Sequence, residues 1–256
     1  MKLTINIYYM HYDTDSKVVN KDRPEWFSYE SCLKNIIRTI ALGPSDVYIK
    51  FHLIFDGDQK SFENNFCSKY FSSHEIKRTD NCEYAVVFID AGTGAKSGQI
   101  TLDYIASQLF ESNSIVYTLE NDYLHTDRWI ESVRDIYLSN IKYDYLTLYD
   151  HGDKYHHNKG FHQRYLRLKS KIYVCGGMHW RTMTSTCFSF LTLPSILKHD
   201  ALVFKKIHDM RAFMLLRYLK RRTLLSSIPG QSTHCMSDFL SPAVDWEKVS
   251  KFESEQ

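Results

Sequence analysis

Apolar runs that stop abruptly in acidic or glycine-rich clusters alternate, over the first half of this sequence, with stretches of helical periodicity. "KLTINIYY" (2–9) alternates like a half-buried strand, and "DVYIKFHLIFDGD" (46–58) is a second strand ending in Asp56-Gly57-Asp58. "CEYAVVFIDAGTGAKSG" (82–98) ends in Asp90 and a glycine-rich turn, and "SIVYTLEND" (114–122) ends in Glu120-Asn121-Asp122. Between them, "RPEWFSYESCLKNIIRTIAL" places Trp26, Leu33, Ile36, Ile37 and Ile40 at helical spacing behind Pro24, and Gly43-Pro44 stops that helix. "SFENNFCSKYF" and "QITLDYIASQLFES" predict two further helices. Strand and helix in turn require an open α/β sheet with helices on its faces, and such sheets take ligands outside the carboxyl ends of their strands. Asp56, Asp58, Asp90 and the Glu120/Asp122 pair therefore fall along one edge.

The second half is less regular. "YDYLTLYDHGDKYHH" predicts a strand running into a His/Asp loop, followed by a short strand near 170–175 and a helix over 200–220, with "LLSSIPGQSTHCM" after it. No repeat, low-complexity tract or linker divides the 256 residues, so one domain with two functional lobes fits better than two independent ones. The 43% hydrophobic content closes a substantial core. Aromatics at 14% exceed what a core needs, although β-propensity accounts for most of them. Thirty-two basic against thirty acidic residues leave +2, which makes no electrostatic case for nucleic acid as a partner. Six scattered cysteines without a C-x-x-C argue against a zinc ribbon and against secreted, disulfide-stapled domains, so a reduced, cytoplasmic chain is expected. The opening run meets His11 and Asp13 too early for a signal peptide, and no stretch nears the roughly 20 apolar residues of a membrane span. Any membrane contact is expected to be peripheral.

In an extended segment residues i and i+2 project to one side, so Glu120 and Asp122 can aim their oxygens at one place. Two hard oxygen ligands at the mouth of a sheet suit Mg²⁺ or Mn²⁺ bridged to phosphates; equally, the same acids would cap a helix starting near Thr126. "VYTLENDYLHTDRW", then "YDYLTLYDHGDKY", "HWRTMTSTCFSF", "HDMRAF" and "IPGQSTHCMSDFLSPAVDW" follow one another in an order that resembles nucleotide-sugar glycosyltransferases of the GT-A type, over nearly the whole chain. The resemblance implies a single Rossmann-like open mixed sheet flanked by helices, with a smaller acceptor-side lobe. The nucleotide-sugar half would be 1–125, and the acceptor half with the C-terminal loop 126–256. It implies that "LEND" stands at the family's D-x-D-like motif, with Asn121 in place of a central acid. Asp122 would then be a metal ligand, Glu120 would act through water or on the ribose, and His234 would complete a Mn²⁺ (or Mg²⁺) shell, although an ordinary loop histidine has the same appearance.

On the donor side, the family holds the nucleoside where Asp56-Gly57-Asp58 ends the second strand, near Asp90. Gly92 and Gly94 would let backbone N–H groups approach a phosphate or sugar hydroxyl, though a tight strand-to-helix turn explains both nearly as well. "GTGAKS" is not a Walker A loop, because Ala95 stands where that loop needs glycine. Transfer needs a base across the sugar from the leaving group. Asp209 in "KKIHDMRAF" is the first candidate, at the start of a helix where a capping acid would look identical, and Asp150 and Asp153 are its competitors. His151, His156 and His157 lack metal spacing. His179-Trp180-Arg181 is similar to part of the family's acceptor wall, with Trp180 stacking on a sugar or, alternatively, packing in the core. Lys220-Arg221-Arg222, with Lys205 and Lys206, would hold the chain near anionic headgroups if the acceptor is lipid-linked, and otherwise makes a solvated face.

The expected activity is a metal-dependent transfer of a sugar from a nucleoside-diphosphate donor to a hydroxyl of a glycan or lipid-linked glycan, with inversion by direct displacement. Two readings compete: a metal-dependent nucleotide-sugar hydrolase or nucleotidyltransferase using the same acids, and a non-catalytic carbohydrate-binding protein on a decayed transferase fold.

Overall fold

A computed structural model of the chain describes residues 2–12, 22–72, 77–155, 169–207 and 209–252. β1 (Leu3–Tyr12) lies inside a mixed sheet, parallel to β2 (Val47–Asp56) on one side and to β5 (Ser114–Glu120) on the other. β4 (Cys82–Ile89) adds in parallel to β2, with the short β3 (Lys77–Arg78) antiparallel outside it. Beyond β5 the sheet turns mixed. β10 (Phe190–Thr192) runs antiparallel to both β5 and β7 (Tyr145–Thr147), and β11 (Leu224–Ile228) is parallel to β7. The hairpin β8 (Ile172–Cys175) and β9 (Met178–Met183) closes the far edge, giving the order β3-β4-β2-β1-β5-β10-β7-β11-β9-β8. The fold is thus α/β, a large central mixed sheet with helices on both sides.

The period of two along each strand explains why both faces are covered. Ile5, Ile7 and Tyr9 of β1, with Ile115, Tyr117 and Leu119 of β5, pack against Leu33, Ile36 and Ile40 of α1 (Tyr29–Ala41) and Trp129, Val133 and Ile136 of α4 (Trp129–Leu138). Their neighbours Tyr8, Met10 and Val116 face the other way. They meet Leu102 and Ile105 of α3 (Gly94–Ser107), Leu197 and Phe204 of α5 (Pro194–Lys206), and Phe213 and Leu216 of α6 (Asp209–Lys220). Burying one such side chain contributes about 1.5–3 kcal/mol, so neither face can be left bare.

Several boundaries differ from expectation. Pro24 and Trp26 precede α1: Ser28, in an extended conformation, accepts a hydrogen bond from the Ser31 N–H at 3.0 Å and starts the helix only at Tyr29. The second expected helix is the short α2 (Gln59–Asn64) followed by a 3₁₀ turn at Phe66–Lys69. The single helix expected over 200–220 is two, because Ile207 is extended (φ −136°, ψ 135°), and the break lets α5 and α6 each turn an apolar side to the same core. The strand near 170–175 has an unforeseen partner, β9, across Gly176-Gly177, whose φ values of 59° and 73° suit a hairpin turn. A second, two-stranded sheet pairs β6 (Tyr123–His125) with β12 (Ser232–His234), and α7 (Trp246–Ser250) packs its Trp246 and Val249 beneath them with Leu124 and Cys235.

Candidate functional site

Glu120 is the last residue of β5 and Tyr123 the first of β6, so Glu120-Asn121-Asp122 links two strands. α4 begins only at Trp129, with Arg128 at its N-cap position and no side-chain cap. Neither acid is spent on a helix end.

The β6–β12 pairing sets His234 opposite Tyr123, and the Cys235 N–H donates to the Asp122 carbonyl at 2.9 Å. A loop from the far end of the chain is thereby folded over the end of β5. The His234 ring lies flat on Tyr123 (centroids 5.1 Å apart, planes 1° apart), and its Nε2 is 3.0 Å from Asp122 Oδ2. Arg23 Nη2 donates to that same oxygen at 2.7 Å, while its Nη1 donates to the Cys235 carbonyl at 2.6 Å and its guanidinium carbon sits 4.4 Å above Phe27. Asp122 is only 3% exposed. Burial opposes the Arg23 charge, but the Asp122 carboxylate outweighs it and raises the guanidinium pKa. Glu120 is held differently: its Oε2 accepts from Ser189 Oγ at 3.3 Å, and its N–H donates to the same hydroxyl at 3.1 Å. Asn121 points across to β1, its Nδ2 donating to His11 Nδ1 at 3.1 Å, and Tyr9 donates to its carbonyl.

A cavity of about 390 Å³ opens beside these residues. Glu120, Asn121 and Asp122 form one wall, the first turn of α3 at Gly94, Ala95 and Ser97 forms another, and Phe188 with the Lys205-Lys206-Ile207 break between α5 and α6 bounds the rest. The opening turn of a helix carries N–H groups without intrahelical partners and a partial positive charge, so that wall suits an anion.

The other expected site residues divide. Gly94 lines the cavity. Asp56, Asp58, Asp90 and Gly92 do not. Asp56 is buried, accepting from the Ala91 N–H at 2.7 Å and the Gly92 N–H at 3.1 Å, so its carboxylate is used to tie β2 to the loop before α3 and not to hold a donor. Gly92 takes φ 67°, a turn conformation that favours glycine. Asp58 caps α2 by accepting from the Ser61 N–H at 2.8 Å, and Asp90 is exposed at the end of β4. Trp180 is fully buried in the sheet core, which removes it as a stacking platform for an acceptor sugar. Arg181 donates to Asp150 Oδ1 at 2.6 Å, and Tyr155 donates to the other oxygen. Asp150 is 0% exposed within this clasp, a geometry that closes it to an incoming hydroxyl. His179 is exposed on β9. Asp209 begins α6, two residues past the cavity-lining Ile207, and its side chain, like that of Asp153, lies outside the described residues, as do His156 and His157 entirely. Of the basic run, Lys220 and Arg222 donate to Asp200 at 2.7 and 2.8 Å, and Arg222 also donates to Asp144 at 2.8 Å. Burial pushes the Asp200 carboxyl up, but these bonds and one from Tyr145 outweigh it and hold it below its usual range. Two of the three charges thus serve the interior. Among the described residues, no helix is long and apolar enough to cross a membrane.

No protein-family model matches the chain, and a search of curated proteins finds no match. Its backbone is similar to solved structures. One is a Bacillus anthracis protein named as a glucose-1-phosphate thymidylyltransferase (TM-score 0.48, 12% identity, covering 98% of this chain and 96% of that one). Another is the 4-diphosphocytidyl-2C-methyl-D-erythritol synthase of Anaerococcus prevotii (TM-score 0.45, 9% identity, covering 97% and 94%). A third is mouse xyloside xylosyltransferase 1 (TM-score 0.40, 9% identity, covering 86% and 83%). With identities this low the likeness is one of backbone arrangement, and the chemistry is read from this chain's own side chains.

The expected divalent ion meets a specific obstacle. Asp122 and His234 are bonded to one another rather than spaced around an ion, and the shared carboxylate oxygen also holds a guanidinium. Among the described residues, no three His, Cys, Asp or Glu side chains are grouped to hold a metal. In this arrangement the donor set does not fit one. Arg23 was not foreseen because its partner stands 99 residues away and nothing in "KDRPEWF" marks it. Tyr29 and Phe188, also on the cavity wall, carry no local signal either.

Proposed function

We propose that this chain is a GT-A type transferase that takes a nucleoside-diphosphate sugar and passes the sugar to a hydroxyl of a glycan or lipid-linked glycan. The observation that carries the reading is the cavity at the carboxyl edge of β1 and β5, where the Glu120–Asp122 link faces the N-terminal turn of α3. Its volume falls in the range of small-ligand sites, roughly 300–1,000 Å³. One wall is suited to phosphate oxygens, and Glu120 offers a carboxylate to ribose hydroxyls.

In the transfer, the acceptor oxygen attacks the anomeric carbon in line with the bond to phosphate. That bond breaks, its electron pair leaves with the nucleoside diphosphate, and the acceptor proton passes to a carboxylate. Asp209 is the proposed base, since Asp150 is closed off by Arg181 and Tyr155. The reading is tested by a thermal-shift panel of UDP-, GDP-, dTDP- and CMP-sugars with and without Mn²⁺, because a ligand that binds only the folded chain raises its melting temperature. One nucleotide class is expected to shift the wild type and Asp209→Asn alike, with nucleoside diphosphate released on acceptor addition by the wild type alone. Pyrophosphate release from a nucleoside triphosphate and a sugar phosphate would replace this reading with a nucleotidyltransferase, and silence across the panel would remove it.

A further inference from the structure

We propose that Arg23 is the cation that meets the donor's diphosphate in this site, in the place expected for Mn²⁺. The inference rests on the nucleoside-diphosphate reading above and says which group answers the phosphate charge. Three observations carry it.

The first is occupancy of the Asp122 oxygen that faces His234. Asp122 Oδ2 would be the oxygen shared with a metal that His234 also ligates, yet it receives Arg23 Nη2 at 2.7 Å with His234 Nε2 at 3.0 Å. A carboxylate oxygen only accepts, so this bond is made by the tautomer with its proton on Nε2, and an ion at that nitrogen would have to break it. A divalent cation at this oxygen would also stand against a like charge.

The second is fixation. Arg23 is held by Asp122, by the Cys235 carbonyl at 2.6 Å and by the Phe27 ring at 4.4 Å, and its side chain is 14% exposed. A cation set in place before the ligand arrives loses little freedom on binding. Asp122 is here a positioning residue, and the β6–β12 pairing that delivers Cys235 to the guanidinium is part of the same device.

The third is position. Asp122 and Tyr29 both line the cavity, and the guanidinium, itself set behind that wall, is held against both, bonded to Asp122 and to the Tyr29 side chain with its carbon 5.9 Å from the ring. A guanidinium carries five N–H groups in a plane that matches phosphate oxygens, and its bonds to Asp122, Cys235 and Tyr29 occupy part of that fork. Across the cavity, the α3 N-terminus and Lys206 provide the facing positive wall.

The test uses the full chain stripped with EDTA, titrated calorimetrically with inorganic pyrophosphate and with UDP, with and without added Mn²⁺. Binding that survives EDTA, changes by less than about twofold on adding Mn²⁺, and weakens by about ten- to a hundredfold in Arg23→Gln is the expected result. Binding that appears only with Mn²⁺ overturns the role of Arg23 and leaves the nucleoside-diphosphate reading standing. Metal-free binding unchanged in Arg23→Gln also overturns it. Binding under neither condition takes away that reading and this inference together. Arg23→Lys keeps the charge without the planar fork, and it is the variant to read should Arg23→Gln not fold: a partial loss is expected, and none would overturn the proposal.

Discussion

Asn121 stands where the resemblance leads one to expect a third acid, and its neighbour explains the exchange. Burial lowers the His11 pKa to about 4, so at neutral pH its ring is uncharged and Nδ1 accepts from the Asn121 amide. An aspartate there would set two acceptors against each other 3.1 Å apart. Asn121→Asp is expected to lose about 1–3 kcal/mol near pH 8, where His11 stays neutral. The new anion raises the His11 pKa, so the loss should shrink as pH falls and the ring takes a proton; urea unfolding at about pH 8 and pH 5.5 measures both. A variant equally destabilised at both values would show that His11 does not answer the added charge. Local sequence announces the acids at 120 and 122, but what Asn121 and Asp122 touch comes from residues more than ninety positions away.

At the scale of elements, β12 is the part on which the site depends. It can pair with β6 only because the chain after β11 turns tightly at Gly230, where an added Cβ would lie 2.6 Å from Ser241 Oγ and 2.8 Å from its Cβ. Ser241 cannot easily retreat, since its hydroxyl donates to the Ser232 carbonyl at 2.8 Å and accepts from the Asp150 N–H at 3.1 Å. Gly230→Ala should therefore cost about 1–3 kcal/mol in denaturant unfolding and loosen β12, so that amide exchange at Ser232 and His234 speeds up more than in β1. Uniform exchange throughout the chain would separate the clash from the site. The late Ser-Thr-His stretch was legible as a loop able to fold back. That it does so as a strand was not, because three residues of pairing leave no periodicity to detect.

For the molecule as a whole, two cores on opposite faces of one sheet enclose ionisable groups that the unfolded chain would hydrate. Burial brings His11 and His52 to about 4 and His125 to about 3, against an ordinary value of 6.5. Above 6.5 both folded and unfolded chains hold these rings neutral and stability is flat. As pH falls from there toward 4, the unfolded chain takes up protons that the folded chain refuses, and each such ring costs about 1.4 kcal/mol per pH unit. The urea midpoint should drop steadily between about pH 6.5 and pH 4 and stay level just above; a midpoint independent of pH across that window would mean the rings are protonated in place. His125 makes the cost plain, since it is 0% exposed, with Tyr117 Oη 2.8 Å from its Nε2.

The alternation of strand and helix through residue 122, and the placing of polar clusters at strand ends, could be read along the chain, because the periods of two and 3.6 are local properties of the backbone. Their i, i+2 spacing also marked Glu120 and Asp122 as candidates, whereas His234 was joined to them only by the family resemblance. Which acids face an open cavity depended on how the chain packs in three dimensions. That packing turned Asp56, Asp58 and Asp150 to holding loops and helix ends, sank Trp180 in the core, split the late helix beside the cavity, and set a guanidinium on Asp122. One cause is common to all of these: a carboxylate or an indole has the same appearance in sequence whether it serves a ligand or the fold. The difference lies in partners brought close by pairing and packing across long stretches of chain.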